Sequence, residues 1–183
     1  IATSTTMASL HRVKFLNNLF LASGSGGNIA KSTDGTTWSS TTLPGLTTGG
    51  DLSIAFGAGR YVAVSDNGLI FTSTDASTWT PATSGTTADL YDVAYGNGKF
   101  LIVGVGVVLT STDGLTWTPV APPEIPNWRS GTIFLNGQFY ASANSSNAFL
   151  TSPDGLAWSG HHLGFTYADI NGVAAYQGRL YFT

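Results

Sequence analysis

The sequence predicts an all-β fold, a β-propeller of five four-stranded blades. A seven-residue motif of the type Ser-Thr-Asp-Gly-x-x-Trp occurs four times, and its aspartates are separated by 41, 38 and 41 residues. A period near forty indicates a repeat architecture. Between the copies, short runs of alternating apolar residues are separated by Gly- and Asn-containing turns, which is typical of antiparallel strands. The motif aspartates and tryptophans are Asp34, Trp38, Asp75, Trp79, Asp113, Trp117, Asp154 and Trp158.

The third repeat shows the strands of one unit most clearly. Residues 92–95 alternate as a strand, and Asn97-Gly98 is a strong hairpin signal. Residues 100–103 and 107–110 form a second and third strand around a turn at Gly104 to Gly106, and the motif leads into a fourth strand over 116–120. Four short antiparallel strands in about forty residues are the content of one propeller blade.

The same frame places the blades at about 10–45, 51–84, 89–121 and 128–160 of a single domain, with a fifth at 169–183 completed by 1–8. The fifth unit ends inside its second strand, whereas Ile1 to Thr6 aligns with a third strand and motif. We therefore expect the ring to close by pairing of the N-terminal strand with the C-terminal hairpin, which removes exposed strand edges. The alternative is that each N-terminal strand completes a neighbouring molecule, giving self-assembly instead of a monomer.

Composition limits the functional classes. Only 9% of the 183 residues are charged, against a usual ~25%, and the net charge is −3 without a basic run. These values argue against nucleic acid as a partner. The longest apolar run, residues 100–109, is too short for membrane insertion. The chain has no cysteine and starts at Ile1, as expected of a processed product or an excised fragment. Its Thr-, Ser-, Gly- and Asn-rich composition favours an extracellular location or a cell or virion surface.

The repeated motif resembles the Asp-box, or bacterial neuraminidase repeat, of sialidases, sortilin-type receptors and bacterial propeller proteins. The usual pattern is Ser-x-Asp-x-Gly-x-x-Trp; here one residue between Asp and Gly is missing, and Asp75 is followed by Ala76. The resemblance implies the propeller fold and not an activity. Turn chemistry is a sufficient role for the motif, since Asp accepts backbone hydrogen bonds and Trp packs between blades. The eight motif residues are therefore interpreted as structural.

Candidate ligand-binding residues lie in the connections between blades, which in a propeller share one face with the loops between second and third strands. We call this side the loop face and the side with the motifs the box face. Asp51, Asp89 and Asp169 each precede an innermost strand and could form a polar ring at the channel mouth, although capping of local backbone donors is the simpler interpretation. Two further candidate patches are Trp128 with Arg129, and His161 and His162 with Tyr167.

The sequence favours a protein that is not an enzyme. The resemblance implies that an active sialidase would carry three arginines, a Tyr/Glu pair and an acidic Asp. This chain has four arginines, and because Arg60 and Arg179 fall on the box face, too few remain for the set of three. Glu124 is the only glutamate, and a glycosidase pair would have to come from Asp51, Asp66, Asp89, Asp92 and Asp169. Adjacent histidines rarely share a metal, so no metal or other cofactor is expected.

We therefore predict a non-catalytic extracellular recognition or adhesion module that binds a glycan or a surface protein through the loop face. One alternative is a structural subunit of a surface filament or phage tail, joined through the divided blade. The other is a glycoside hydrolase of the Asp-box type.

Overall fold

A computed structural model describes residues 10–46, 50–121, 131–142, 148–162, 164 and 173–182. These residues form four four-stranded antiparallel sheets and a two-stranded hairpin, in which each strand pairs with the next along the chain. The all-β, four-stranded repeat is thus confirmed. The first sheet contains β1 (Leu10–Leu16), β2 (Leu19–Gly24), β3 (Asn28–Ser32) and β4 (Ser39–Thr42). The second contains β5 (Ser53–Gly57), β6 (Arg60–Val64), β7 (Ile70–Ser73) and β8 (Thr80–Ala82).

The third sheet contains β9 (Leu90–Gly96), β10 (Lys99–Gly104), β11 (Val107–Ser111) and β12 (Thr118–Val120). The fourth contains β13 (Thr132–Leu135), β14 (Gln138–Ser142), β15 (Ala148–Ser152) and β16 (Ser159–His162). The hairpin contains β17 (Val173–Tyr176) and β18 (Arg179–Phe182). Among the described residues, no helix is long and apolar enough to cross a membrane. The segment 1–8, which we expect to complete the hairpin, lies outside the described residues.

The first hairpin of every blade is built in the same way. Both residues of its two-residue turn have positive φ, for example Asn97 at 49° and Gly98 at 76°. This conformation matches the right-handed twist of the flanking strands and explains the preference for Asn and Gly. In four blades an aromatic pair faces across the turn, and the ring centroids lie 4.6–4.9 Å apart. The pairs are Phe15–Phe20, Phe56–Tyr61, Tyr95–Phe100 and Phe134–Phe139.

The core consists of three apolar clusters, one between each pair of consecutive four-stranded sheets. The central cluster, between the second and third sheets, contains the fully buried Phe100 and Ile102 on one side and Val62 on the other. In the second and third sheets, one face of the inner strand packs against the preceding blade, and the opposite face packs against the following one. Burial between blades therefore supplies most of the apolar stabilisation, as expected where single sheets cannot bury both faces alone.

Two inner strands end in a glycine that accommodates an aromatic ring of the next blade. A Cβ atom on Gly57 would overlap the ring of Tyr95, and one on Gly96 would overlap the ring of Phe134. Neither glycine has a positive φ. The absence of a side chain is therefore required by close packing between blades and not by backbone conformation.

The first and last inner strands each expose a face that the equivalent strands of the middle blades bury. Val13 and Phe15 of β1 are 64% and 59% exposed, whereas Ile54 at the position equivalent to Val13 is buried. At the other end, Tyr176 and Tyr181 of the hairpin are 65% and 48% exposed. Across the described residues the blades thus form an open arc with one apolar face at each end.

Each motif folds as a turn organised by one carboxylate. In the third blade, Asp113 Oδ1 accepts hydrogen bonds from the N–H groups of Leu115 and Thr116, both at 2.8 Å, and from Ser111 Oγ at 2.9 Å. Ser111 Oγ in turn accepts the Gly114 N–H at 2.8 Å. The same Asp contacts recur at Asp34, Asp75 and Asp154. Trp38 Nε1 donates to the Gly35 carbonyl, whereas Trp79, Trp117 and Trp158 pack into the apolar clusters.

Acid is expected to destabilise the protein through these turns. Backbone N–H groups of Thr78 and Ser77, followed by the Ser73 hydroxyl, lower the pKa of Asp75 from 3.8 to about 2. The Thr116 and Leu115 N–H groups lower the pKa of Asp113 to about 2 in the same way. Because the folded-state pKa values are depressed, this stabilisation is complete above the unfolded value and is lost as the pH falls through the folded value. The Tm should therefore fall between about pH 4 and about pH 2.

The measurement is a series of thermal melts of the wild type and of an Asp75→Asn/Asp113→Asn variant. The variant should have a lower Tm at neutral pH and a flatter decline in acid. Parallel declines of the two proteins would contradict the assignment of these carboxylates.

Candidate functional site: the inner-strand channel

The inner strands β1, β5, β9, β13 and β17 enclose a cavity of about 800 Å³. Most of its lining is apolar, and the polar side chains come from Arg12, Lys14, Asp92 and Thr132, with His11 at the loop-face end of β1. This channel is a concave surface on a rigid scaffold, and such surfaces are the usual places for ligands.

Asp92 is the centre of a polar cluster in the channel wall. Only 3% of the residue is exposed. Its Oδ1 atom lies 3.4 Å from both Arg12 Nη1 and Lys14 Nζ, and it also accepts hydrogen bonds from Ser53 Oγ and the Val93 N–H. Its Oδ2 atom accepts the Thr132 N–H at 2.6 Å. One carboxylate thereby connects four consecutive blades, since these partners belong to β1, β5, β9 and β13.

A strand irregularity lies directly before the charged residues on each of two inner strands. The pairing of β1 with β2 shifts between Leu10 and Arg12, so that His11 is an extra residue. The pairing of β9 with β10 shifts at Val103 and Gly104, so that Tyr91 is extra directly before Asp92. β-Bulges of this kind redirect the neighbouring side chains and are common beside binding sites.

Asp92 stays ionised in spite of its burial. Burial by itself raises the pKa of Asp92, but Lys14 and Arg12, together with the hydrogen bonds from Ser53 and Thr132, lower the pKa below its ordinary value of 3.8. A buried carboxylate with several donors and two cations behaves in this way because each contact favours the charged form.

Two of the three acidic residues of the predicted polar ring are described, and both have partners within the chain. Asp51 Oδ1 is in hydrogen-bond contact with His11 Nδ1 at the channel mouth. Asp89 Oδ1 accepts the Asn67 N–H at 2.9 Å, and the Asp89 carbonyl accepts the Val105 N–H at 2.9 Å. Asp169 lies outside the described residues. The carboxylate of Asp89 thus accepts a backbone donor, whereas that of Asp51 contacts a side chain of the preceding blade.

The two predicted patches are only partly described. Trp128, Arg129 and Tyr167 lie outside the described residues. His161 is exposed on β16, where its ring stacks on Phe149 with centroids 4.9 Å apart and its Nε2 lies 2.9 Å from Thr151 Oγ1. His162 is the exposed last residue of the same strand. The structure therefore places both histidines on an outermost strand, away from the channel. No group of three His, Cys, Asp or Glu side chains that could hold a metal occurs in the described part of the chain.

Sequence reasoning missed the channel cluster. Asp92 was named only as one of five carboxylates that could supply a glycosidase pair, and it was not connected with Arg12 or Lys14. A signal was present, since Arg12, Ser53 and Asp92 stand at the same distance before the first turn of three consecutive repeats. Opposite charges at equivalent repeat positions meet at the axis of a propeller, because the inner strands converge there.

Comparison with solved structures finds β-propeller proteins at low sequence identity. A catalytically inactive variant of virginiamycin B lyase from Staphylococcus aureus, with quinupristin, superposes with a TM-score of 0.85 at 14% identity, covering 99% of this chain and 65% of that one. YCF48 bound to D1 peptide gives a TM-score of 0.72 at 19% identity, covering 96% and 60%. Glutaminyl cyclase from Myxococcus xanthus gives 0.61 at 19% identity, covering 93% and 83%.

No family model matches the chain, and no curated protein matches it. The chain spans less than two thirds of the length of the lyase and YCF48 structures. At these identities the similarity establishes the fold alone: the chain is similar to β-propeller proteins.

Proposed function

We propose that this protein is a non-catalytic recognition module that binds a protein segment or a glycan at the loop-face mouth of its channel. The observation that carries the proposal is the polar cluster of Arg12, Lys14 and Asp92 in an otherwise apolar channel on a repeat scaffold. A rigid concave surface with a few converging polar groups suits ligand recognition. The solved complex of YCF48, a similar propeller, with a peptide supports a protein partner over a glycan.

The state of the channel carboxylates supports a non-catalytic role. A glycosidase needs one carboxylic acid and one free carboxylate on either side of a bond. Here Asp51 contacts His11, and Asp92 is buried under five partners with its pKa lowered. Asp92, the one carboxylate in the channel lining, is therefore not arranged to deliver a proton at neutral pH, and recognition without turnover accounts better for the cluster. The composition favours an extracellular setting for this module.

Because the chain contains no cysteine, a single introduced cysteine can be labelled to test which face binds the ligand. Ligands are first selected on peptide and glycan arrays, and a photo-cross-linker is then attached to a single introduced cysteine. Thr83 is exposed between β8 and β9 on the loop face, and Thr36 is exposed in a motif turn on the box face. We expect cross-linking from a Thr83→Cys protein and not from a Thr36→Cys protein. Equal labelling from both positions, or no array ligand at all, would refute the proposal.

We also propose that the ring has five blades and closes within one chain, with the motif turns being true Asp-boxes. The exposed end faces, at Val13 and Phe15 and at Tyr176 and Tyr181, are the surfaces that closure would cover. Sedimentation should then show a species of 19.0 kDa at all concentrations. The same exposed faces favour the alternative function of a structural subunit, for which the mass would instead rise with concentration.

A further inference from the structure

We propose that Arg12 and Lys14 form an oxyanion-binding site in the channel, and that Asp92 is the internal anion with which a ligand competes. The inference rests on the proposed channel function and names the ligand chemistry: a phosphate, sulfate or carboxylate group. It assigns Asp92 a role in selectivity in addition to its contacts between blades.

The charges of the cluster do not balance. Two cationic side chains share a single buried carboxylate, and Asp51, the next acidic side chain along this end of the channel, lies outside the cluster because it contacts His11 instead of Arg12 or Lys14. The channel wall at Arg12 and Lys14 therefore has an excess of positive charge, although the whole protein carries −3. Every other Lys or Arg side chain of the described residues lies outside the channel lining.

The two cations are also accessible, although Lys14 Nζ donates a further hydrogen bond to Ser53 Oγ at 3.2 Å. Their side chains are 32% and 33% exposed, against 5% for the Asp92 side chain. Both lie 3.4 Å from Asp92 Oδ1, which is longer than the ~2.7–2.9 Å of strong charge-assisted hydrogen bonds. A guanidinium has five N–H donors, so Arg12 keeps donors free for a second anion on the channel side.

Asp92 cannot leave when such an anion arrives. Ser53 Oγ and the N–H groups of Val93 and Thr132 hold its two oxygens in place from three strands. A bound oxyanion would lie across the cations from a fixed negative charge, and like charges repel at this range. Asp92 therefore lowers the affinity of the site for anions. A ligand with little negative charge gains too little from the two cations to bind well.

The test measures binding of inorganic phosphate, sulfate and acetate by titration calorimetry at constant ionic strength, with NMR of the Thr132 and Val93 amides as the site-specific readout. At least one anion should saturate the site, and the three probes distinguish tetrahedral oxyanions from carboxylates. Arg12→Gln and Lys14→Gln should each weaken binding by about tenfold or more. Lys99→Gln, the same charge change at a first turn on the box face, should leave binding unchanged. Asp92→Asn should tighten binding by about tenfold while lowering stability.

Three results would overturn the inference: no saturable binding, equal losses in Lys14→Gln and Lys99→Gln, or weaker binding in a folded Asp92→Asn protein. If Asp92→Asn does not fold, Asp92→Ser tests the competition with a smaller neutral side chain. The Arg12→Gln and Lys14→Gln variants still test whether these two cations bind the anion. Absence of oxyanion binding together with specific cross-linking from Thr83→Cys would reject this inference and leave the proposed function intact. Oxyanion binding without any array ligand would support the site and reject the recognition role.

Discussion

Replacement of Asp92 by alanine is expected to lower the free energy of unfolding by about 1–3 kcal/mol, the usual cost of leaving a buried donor without its charged acceptor. Arg12 and Lys14 would be left close together without their anion, and the buried Thr132 N–H would lose its acceptor. Because Asp92 contacts four blades, the loss would not be confined to one sheet. Urea denaturation at neutral pH measures the change.

Asp89→Ala is the matched control for this prediction. Asp89 lies three residues earlier, and its carboxylate accepts one hydrogen bond, from the exposed Asn67 N–H. Its replacement should cost about 1 kcal/mol or less. If the two variants lose similar amounts of unfolding free energy, Asp92 contributes no more than one local hydrogen bond and does not link the blades.

Substitution of Gly96 by alanine is expected to destabilise the protein by about 1–3 kcal/mol, as overpacking does in a well-packed core. The added methyl group would overlap the ring of Phe134, which cannot move away because it packs on Phe139. Backbone strain does not contribute, since the φ of Gly96 is not positive. Equilibrium denaturation of the Gly96→Ala protein and of the wild type measures the effect.

Gly98→Ala separates the steric from the conformational cost. Gly98 has φ 76° and open space where its Cβ would lie, so the change should cost only about 1 kcal/mol of backbone preference. Adding Phe134→Leu to Gly96→Ala should recover part of the lost stability by making room for the methyl group. A double variant less stable than the sum of the two single changes would contradict steric overlap as the cause.

The fold was largely predictable because each repeat carries local signals that agree with one another. Asn97-Gly98 specifies the first turn, and the spacing of the motifs from Asp34 to Asp154 specifies the repeating unit. The strand bounds differ by only a few residues; for example, β9 runs over Leu90–Gly96, where 92–95 was predicted. Repetition strengthens such a prediction, because an error in one unit is corrected by its neighbours.

The channel cluster could not be predicted in the same way, because its members come from different repeats. Arg12 and Asp92 are 80 positions apart, and they approach each other because the inner strands of successive blades line one channel. The packing roles of Gly57 and Gly96 could not be predicted either. Their packing role depends on rings that belong to the following blade, and a local pattern does not contain this information.

The contacts between neighbouring blades on the box face have a consequence for how such chains diverge. Lys31, Arg60 and Asn97 each donate a hydrogen bond to a motif carbonyl of the next blade, at Asp75, Asp113 and Pro153. A main-chain carbonyl is present whatever side chain stands at that position, and donors of three kinds can reach it. Mutations on either side of the contact therefore need no compensating change in the partner. Sequence changes at these positions are therefore compatible with an unchanged spacing of the blades.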